Sequence, residues 1–411
     1  MKRFFAILLC FCLVFSLTAC GSGENADAPQ TDDVTTETPE TDGADSTDDT
    51  ADAPDTTDGG DTAAPSGDGT TIYVMGPTPD HGWTAQAGTY ADAKVKEIND
   101  EGTYKAVYMP SSSGEEQVDQ VQTIIANGDA AGVVFFALED SAKAGQEALI
   151  AEDIPFISFD RIIEGPDKSA ILNFSGNNWQ CGAGIAYWLE NNGMKPGDAL
   201  VTLIGDNGTV CSRRQEGFEQ YLLGELEYED DATGESYKIE TPWTQQEIDD
   251  LTASYKTVCD WSADGAYEYL EQSLPDIIND AKGKEGNLYV FSMDDEMTFG
   301  FLNLIEGNVL SDEAKADLEA LNVNISAIGG MAELYQVMDG SSSQSELADT
   351  YFDNMMSVYF SPKMMTSAID YMLQYLSGDW SYAVGDGEYE PVWIVDRDNV
   401  SEYEGFSGHG E

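Results

Sequence analysis

The chain has 411 residues, with 77 acidic against 18 basic side chains, a formal net charge of −59 and only two histidines. A surface this negative repels phosphate backbones and anionic headgroups, which excludes nucleic acid as a partner and excludes surface charge as a means of holding a membrane. His81 and His409 together supply neither a histidine-dependent triad nor a multi-histidine metal centre, and no cofactor or metal is expected.

At the N-terminus, Lys2 and Arg3 precede an apolar run from Phe4 to Phe15, and Leu17-Thr18-Ala19-Cys20 closes it. The run is too short to span a hydrocarbon core of about 30 Å, so residues 1–20 read as an export signal. Its ending resembles the lipobox of bacterial lipoproteins. That resemblance implies a lipid attached at Cys20 and an extracytoplasmic, membrane-anchored protein; the alternative is an ordinary signal peptide with a chance cysteine. Residues 21–69 carry fifteen acidic and no basic side chains among Thr, Ala, Gly, Ser and Pro. Such a segment buries too little apolar surface to offset its ordering entropy, so a solvated tether reaching roughly 40 Å is expected.

About 340 residues remain, with 62 acidic and 16 basic side chains, which suits two domains better than one core. Of the cysteines in this part, Cys181, Cys211 and Cys259, at least one is a free thiol, with a Cys211–Cys259 bridge as the alternative to three. A strand is expected over 72–75, then a helix with Trp83, Ala87, Tyr90, Ala91, Val95 and Ile98 on one face. A strand over 106–109 follows, then a helix turning Val118, Val121 and Ile125 inward, an apolar run over 132–137, a helix over 142–150 and a strand over 154–159. Further strands are expected over 200–204, 288–291 and 323–328, with helices over 179–190, 216–223, 263–281 and 296–305. Short apolar runs alternating with amphipathic helices are the mark of parallel strands buried on both faces, and there are enough for two doubly wound α/β sheets.

In such sheets ligands sit beyond the C-terminal ends of the strands. The residues there are polar forks and aromatic plates: Pro79-Asp80-His81-Gly82-Trp83 after the first strand, Asp160-Arg161, Arg213-Arg214-Gln215-Glu216-Gly217-Phe218, and Met293-Asp294-Asp295-Glu296-Met297. Carboxylates that accept, guanidiniums that donate and aromatic rings that cover C–H faces together suit a sugar. Asp160 and Asp294 can accept, Arg161 and Arg214 can donate, and Trp83 and Trp261 can stack. Asp295 and Glu296 are read instead as acidic residues favoured by a helix N-terminus.

The order of these motifs, from about residue 71 to 400, resembles the periplasmic sugar-binding proteins of the ribose- and galactose-binding type. The resemblance implies two α/β lobes of parallel sheet joined by a three-segment hinge, with residues 71–175 and 361–388 in the N-terminal lobe and 176–360 and 389–411 in the C-terminal lobe. It implies a monomer that traps a small-molecule sugar in the interlobe cleft and delivers it to the permease of an ABC transporter. It places ligand contacts at His81, Trp83, Asp160, Arg161, Asn177, Arg214, Trp261, Asp294 and Phe360. The family's last-crossover amide falls near Phe360 and its second-lobe aspartate near Gly329, departures that imply a less polar ligand face or a different pose.

Two other classes compete with transport. A sugar sensor presenting its ligand to a two-component kinase would have the same cleft. Glycoside hydrolysis needs two carboxyl groups facing each other across the bond, which sequence neighbours such as Asp294 and Asp295 seldom do, so no enzyme is expected. A repressor of the related lactose-repressor type fails because an export signal stands where a DNA-binding head would be.

Overall fold

The computed structural model describes residues 70–78, 82–307 and 309–408. The export signal, Cys20, the acidic tether, His81 and His409 lie outside the described residues. In chain order come β1 (Thr71–Pro77), α1 (Gly82–Glu101), β2 (Lys105–Ser111), α2 (Gly114–Asn127), β3 (Ala130–Phe136), α3 (Lys143–Ala151), β4 (Phe156–Phe159) and β5 (Leu172–Gly176). Then follow α4 (Asn178–Asn191), β6 (Ala199–Ile204), α5 (Thr209–Leu222), the hairpin β7 (Tyr228–Asp230) and β8 (Glu235–Tyr237), α6 (Gln245–Thr252), β9 (Tyr255–Val258), α7 (Ala263–Gly283) and β10 (Asn287–Ser292). The remainder is α8 (Asp295–Glu306), α9 (Asp312–Glu319), β11 (Asn322–Gly329), α10 (Ala332–Asp339), α11 (Ser345–Tyr351), β12 (Asn354–Tyr359), α12 (Met364–Ser377), β13 (Gly387–Glu390) and β14 (Trp393–Asp396).

The strands form two six-stranded sheets, ordered β13-β5-β4-β3-β1-β2 and β14-β12-β11-β10-β6-β9. Within these two sheets all pairs are parallel except β12 with β14, and β7 pairs antiparallel with β8 as a separate hairpin. Both sheets wind alike: each opens on a strand lying between its second and third, so each has a topological switch point beside its first strand, where a crevice opens. The chain passes from the first sheet to the second between β5 and α4, returns between β12 and α12, and crosses again between β13 and β14.

The apolar runs follow from burial on both faces. Along β1, Ile72 and Val74 join one apolar cluster with α1, while Tyr73 and Met75 join another with Val121, Ile124 and Leu149 of α2 and α3. Alternate residues of a strand point to opposite faces, so a strand covered on both sides must be apolar throughout. On α2 the buried face differs from the expected one: Gln117 and Ile124 are inward, and Val118 and Ile125 only half-buried. Gln117 is buried because its amide donates to the Phe136 carbonyl and accepts from Leu138 N–H, closing the end of β3. All three cysteines of the folded part are buried and free, so no Cys211–Cys259 bridge exists. No described helix is long and apolar enough to cross a membrane.

Candidate functional site

The switch points of the two sheets face one cavity of about 680 Å³. Pro77 and Thr78 beyond β1, Phe136 and Leu138 beyond β3, and Asp160 and Arg161 beyond β4 line it from the first sheet. Asp206 beyond β6, Asp260 and Trp261 beyond β9, and Asp294 beyond β10 line it from the second, with Trp83, Arg214, Glu296 and Phe360 completing the wall.

Several of these residues are held in backbone conformations that side chains normally avoid. Asp160 (φ 61°), Asp260 (φ 50°) and Trp261 (φ 58°) are left-handed. Aspartate tolerates that region, but for a ring as large as tryptophan it is strained, and such strain persists where a surrounding structure imposes it. Trp261 is fixed by its indole N–H, which donates to Asp206 Oδ2 at 3.2 Å, and by Gly205, where a Cβ would lie 2.2 Å from the ring.

Arg214, on α5, is buried without a carboxylate in ion-pair range among the described residues. Its Nε donates to Asn178 Oδ1 at 2.8 Å and its Nη1 to the Met293 carbonyl, and its guanidinium stands 5.5 Å from the Trp261 ring and 5.2 Å from that of Phe360. A planar cation held by neutral acceptors between two aromatic faces keeps its charge directed at the cavity.

The carboxylates differ in environment. Burial pushes the Asp160 pKa up against the opposing pull of Arg161 and Arg214. Asp294 caps α8, accepting from Glu296 N–H at 2.9 Å, and burial together with the Asp295 charge holds its pKa well above the usual carboxylate range. Asp206 goes the other way: burial acts to raise it, but the Arg161 charge and donated hydrogen bonds outweigh that and hold it low. Asp295, expected as a helix-terminal charge, begins α8 but is buried and does more than that. It accepts from Gly330 N–H (2.8 Å), Met331 N–H (2.7 Å) and the Ser357 hydroxyl (2.7 Å), tying together the ends of β10, β11 and β12, and burial lifts its pKa to about 6.

Of the residues singled out in the sequence, Trp83, Asp160, Arg161, Arg214, Trp261, Asp294 and Phe360 are brought together at the cavity. Asn177 is not among them: its side chain caps α4, accepting from Gln180 N–H at 3.2 Å. Glu296, expected only as a helix-terminal charge, also lines the cavity. Asp206 was passed over, although its place just beyond β6 is itself the signal that marks such residues. Its Oδ2 takes Arg161 Nη2 at 2.6 Å, so Arg161 reaches across to the second sheet.

Two similar α/β lobes around a shared cleft define a clamshell binding protein. A family model described as "Periplasmic binding protein domain" matches residues 72–379, and the chain belongs to that family. Among solved structures it is similar to the periplasmic binding protein component of the arabinose ABC transporter from Shewanella sp. ANA-3, bound to α- and β-L-arabinofuranose. That likeness has a TM-score of 0.57 at 18% identity, over 81% of this chain and 94% of that one. A Mycobacterium smegmatis structure in complex with β-D-fucofuranose gives 0.58 at 16% identity, over 81% and 93%. An ABC transporter solute-binding protein from Bacillus halodurans with bound myo-inositol gives 0.56 at 17%, over 82% and 99%. At these identities the likeness is one of fold, the type I clamshell. No curated protein matches the chain.

Proposed function

We propose that the protein captures a sugar or sugar-like ligand between its lobes and delivers it to an ABC importer, held outside the cytoplasm by a lipid on Cys20. The observation that carries this is the cavity lining, in which aromatic faces, carboxylates and a guanidinium converge from both lobes on about 680 Å³. Trp83, Trp261 and Phe360 offer apolar faces for C–H groups, Asp160 and Asp294 accept from hydroxyls, and Arg214 donates. His81 stands next to this set in the sequence and completes it in this reading. Carboxylates outnumber guanidiniums on the lining, so a ligand without negative charge fits best. The sugars and the cyclitol bound by the structures of like fold are of this kind. The work done is binding and release, with no bond made or broken.

A thermal-shift panel of pentoses, hexoses, polyols and amino sugars tests the ligand class. A ligand at a hundred times its Kd stabilises the native state by about 2.7 kcal/mol, a shift of several degrees. The class is wrong if no panel member moves the midpoint while amino acids or peptides do. Incorporation of labelled fatty acid, abolished in Cys20→Ala, tests the anchor.

A further inference from the structure

Three donors converge on Asp206. From its own lobe, Gly208 N–H donates to Oδ1 at 2.7 Å and Trp261 Nε1 to Oδ2 at 3.2 Å. From the other lobe, Arg161 Nη2 reaches the same Oδ2 at 2.6 Å. The first two bonds lie within the second lobe, so the carboxylate is oriented before the first lobe meets it. Its bond to Gly208, two residues on, is the local turn that aspartate forms with its own backbone. Position 208 has no side chain: a Cβ there would lie 1.8 Å from Arg161 Nη1, so any side chain would push the guanidinium aside. Arg161 has 6% side-chain exposure and Asp206 28%, so the pair is shielded from solvent well beyond an ordinary surface ion pair. Asp140, on the first lobe, stands 3.6 Å from Arg161 Nη1 but is nearly half exposed, which leaves Asp206 as the main partner.

We infer that Asp206 is a closure-positioning residue: held in place within its own lobe by Gly208 and Trp261, it receives Arg161 as the lobes meet, on the same Oδ2 that already fixes the Trp261 ring. The inference rests on the cleft being a binding site. It moves Arg161 from holding ligand to closing the lobes over it. Because the pair joins protein to protein, it favours closure without ligand, and apparent affinity then scales with the fraction of molecules able to bind.

The test reads interlobe distance in the ligand-free protein, from spin labels on one introduced exposed cysteine per lobe, Lys96→Cys and Glu271→Cys; the three cysteines among the described residues, Cys181, Cys211 and Cys259, are buried. The variants are Asp206→Asn, Arg161→Met, the two combined, and Gly208→Ala, whose backbone (φ −87°, ψ −177°) accepts alanine. Each single change should lower the closed-to-open ratio by about tenfold. The combined variant should fall no further than either single one, because both remove the same contact. Gly208→Ala keeps every charge and should still open the cleft. A wild-type distance distribution in Gly208→Ala, additive losses in the combined variant, or no closed population in the wild type would each overturn the inference. All readings are taken without ligand, so a failed sugar panel leaves this test standing, and a failed test leaves the panel standing.

Discussion

The indole N–H of Trp83 donates to the main-chain carbonyl of Phe360 at 2.6 Å, and the two rings lie 5.3 Å apart. Trp83 opens α1 in the first lobe, whereas Phe360 follows the last inner strand of the second sheet, where the chain turns back toward the first. One hydrogen bond thus ties the mouth of the cavity to a crossover. Trp83 also packs edge-on against Phe136 at 5.9 Å. It is core and cavity wall at once, which joins ligand contact to the stability of the first lobe.

Substitutions at Trp83 should therefore separate two effects. Trp83→Phe keeps much of the ring packing but leaves the Phe360 carbonyl without its indole donor, a loss of about 1–3 kcal/mol. Trp83→Ala also empties the ring's volume and should cost about 3–5 kcal/mol. Urea unfolding measures both. Equal losses in the two variants would mean that the hydrogen bond, rather than packing, accounts for the residue's contribution.

Asp294 and its amide analogue should diverge with pH. Because the folded-state pKa of Asp294 is raised, by burial first and the Asp295 charge second, the native protein binds that proton more tightly than the unfolded chain does. Its contribution is fully present below the unfolded value of about 3.9 and is lost as pH rises through the folded pKa. Asp294→Asn keeps an oxygen to cap α8 and removes the charge. Its stability relative to wild type should rise from pH 4 toward neutrality in paired unfolding curves. A difference that stays constant with pH would show that Asp294 ionises as freely in the folded state as in the unfolded one.

Substituting the neighbouring carboxylate should cost stability. Asp295→Ala leaves Gly330 N–H and Met331 N–H facing a buried void, at about 1–3 kcal/mol for each group left without a partner. Gly330 N–H keeps a second acceptor, the Ser357 hydroxyl at 3.0 Å, so Met331 should account for most of the loss. Asp295→Asn should be milder, since one amide oxygen can take both N–H groups while its NH2 donates to a rotated Ser357 hydroxyl. Equal melting points for the alanine and asparagine variants would contradict this account.

The parts of the fold legible in the sequence are those in which burial leaves a mark on residue type. Strands β1, β3, β6, β10 and β11 are covered on both faces and read as apolar runs. Strand β5, Leu-Asn-Phe-Ser-Gly, is also buried, but its Asn173 bonds loop carbonyls at Asp167 and Gly385, and a polar residue satisfied in that way breaks the run. Strand β9 alternates half-buried and exposed residues at a sheet edge. Strand β12 carries Met355 and Met356 where β-branched residues would mark a strand. At the site, the rule that ligand groups follow strand ends located most of the lining. The family resemblance, not that rule, placed Asn177 at the ligand, whereas its side chain caps α4. The strand-end rule passed over Asp206 because Gly205-Asp206-Asn207-Gly208 reads as a turn, and its partner Arg161, 45 residues earlier, is joined to it only by the tertiary fold.

The approach of α4 to α5 decides where Arg214 sits. A Cβ on Gly182 would lie 1.9 Å from the Arg214 carbonyl oxygen, and one on Gly217 2.0 Å from that of Trp179, so each helix meets the other's backbone through a missing side chain. Alanine gains about 1 kcal/mol of helix propensity over glycine, but forcing atoms into a packed contact costs about 1–3 kcal/mol, and here the obstacle is backbone that cannot rotate away. Gly217→Ala should therefore destabilise the protein despite the better helix former. By separating the helices it should also lengthen the 2.8 Å bond from Arg214 Nε to Asn178 and weaken ligand binding. Gly182→Ala strains the same contact, so the double variant should lose less stability than the two single losses added together. Unfolding midpoints and calorimetric titration with whichever ligand the thermal panel identifies measure the two effects. A Gly217→Ala protein as stable and as tight-binding as the wild type would mean that the helices can separate without moving Arg214.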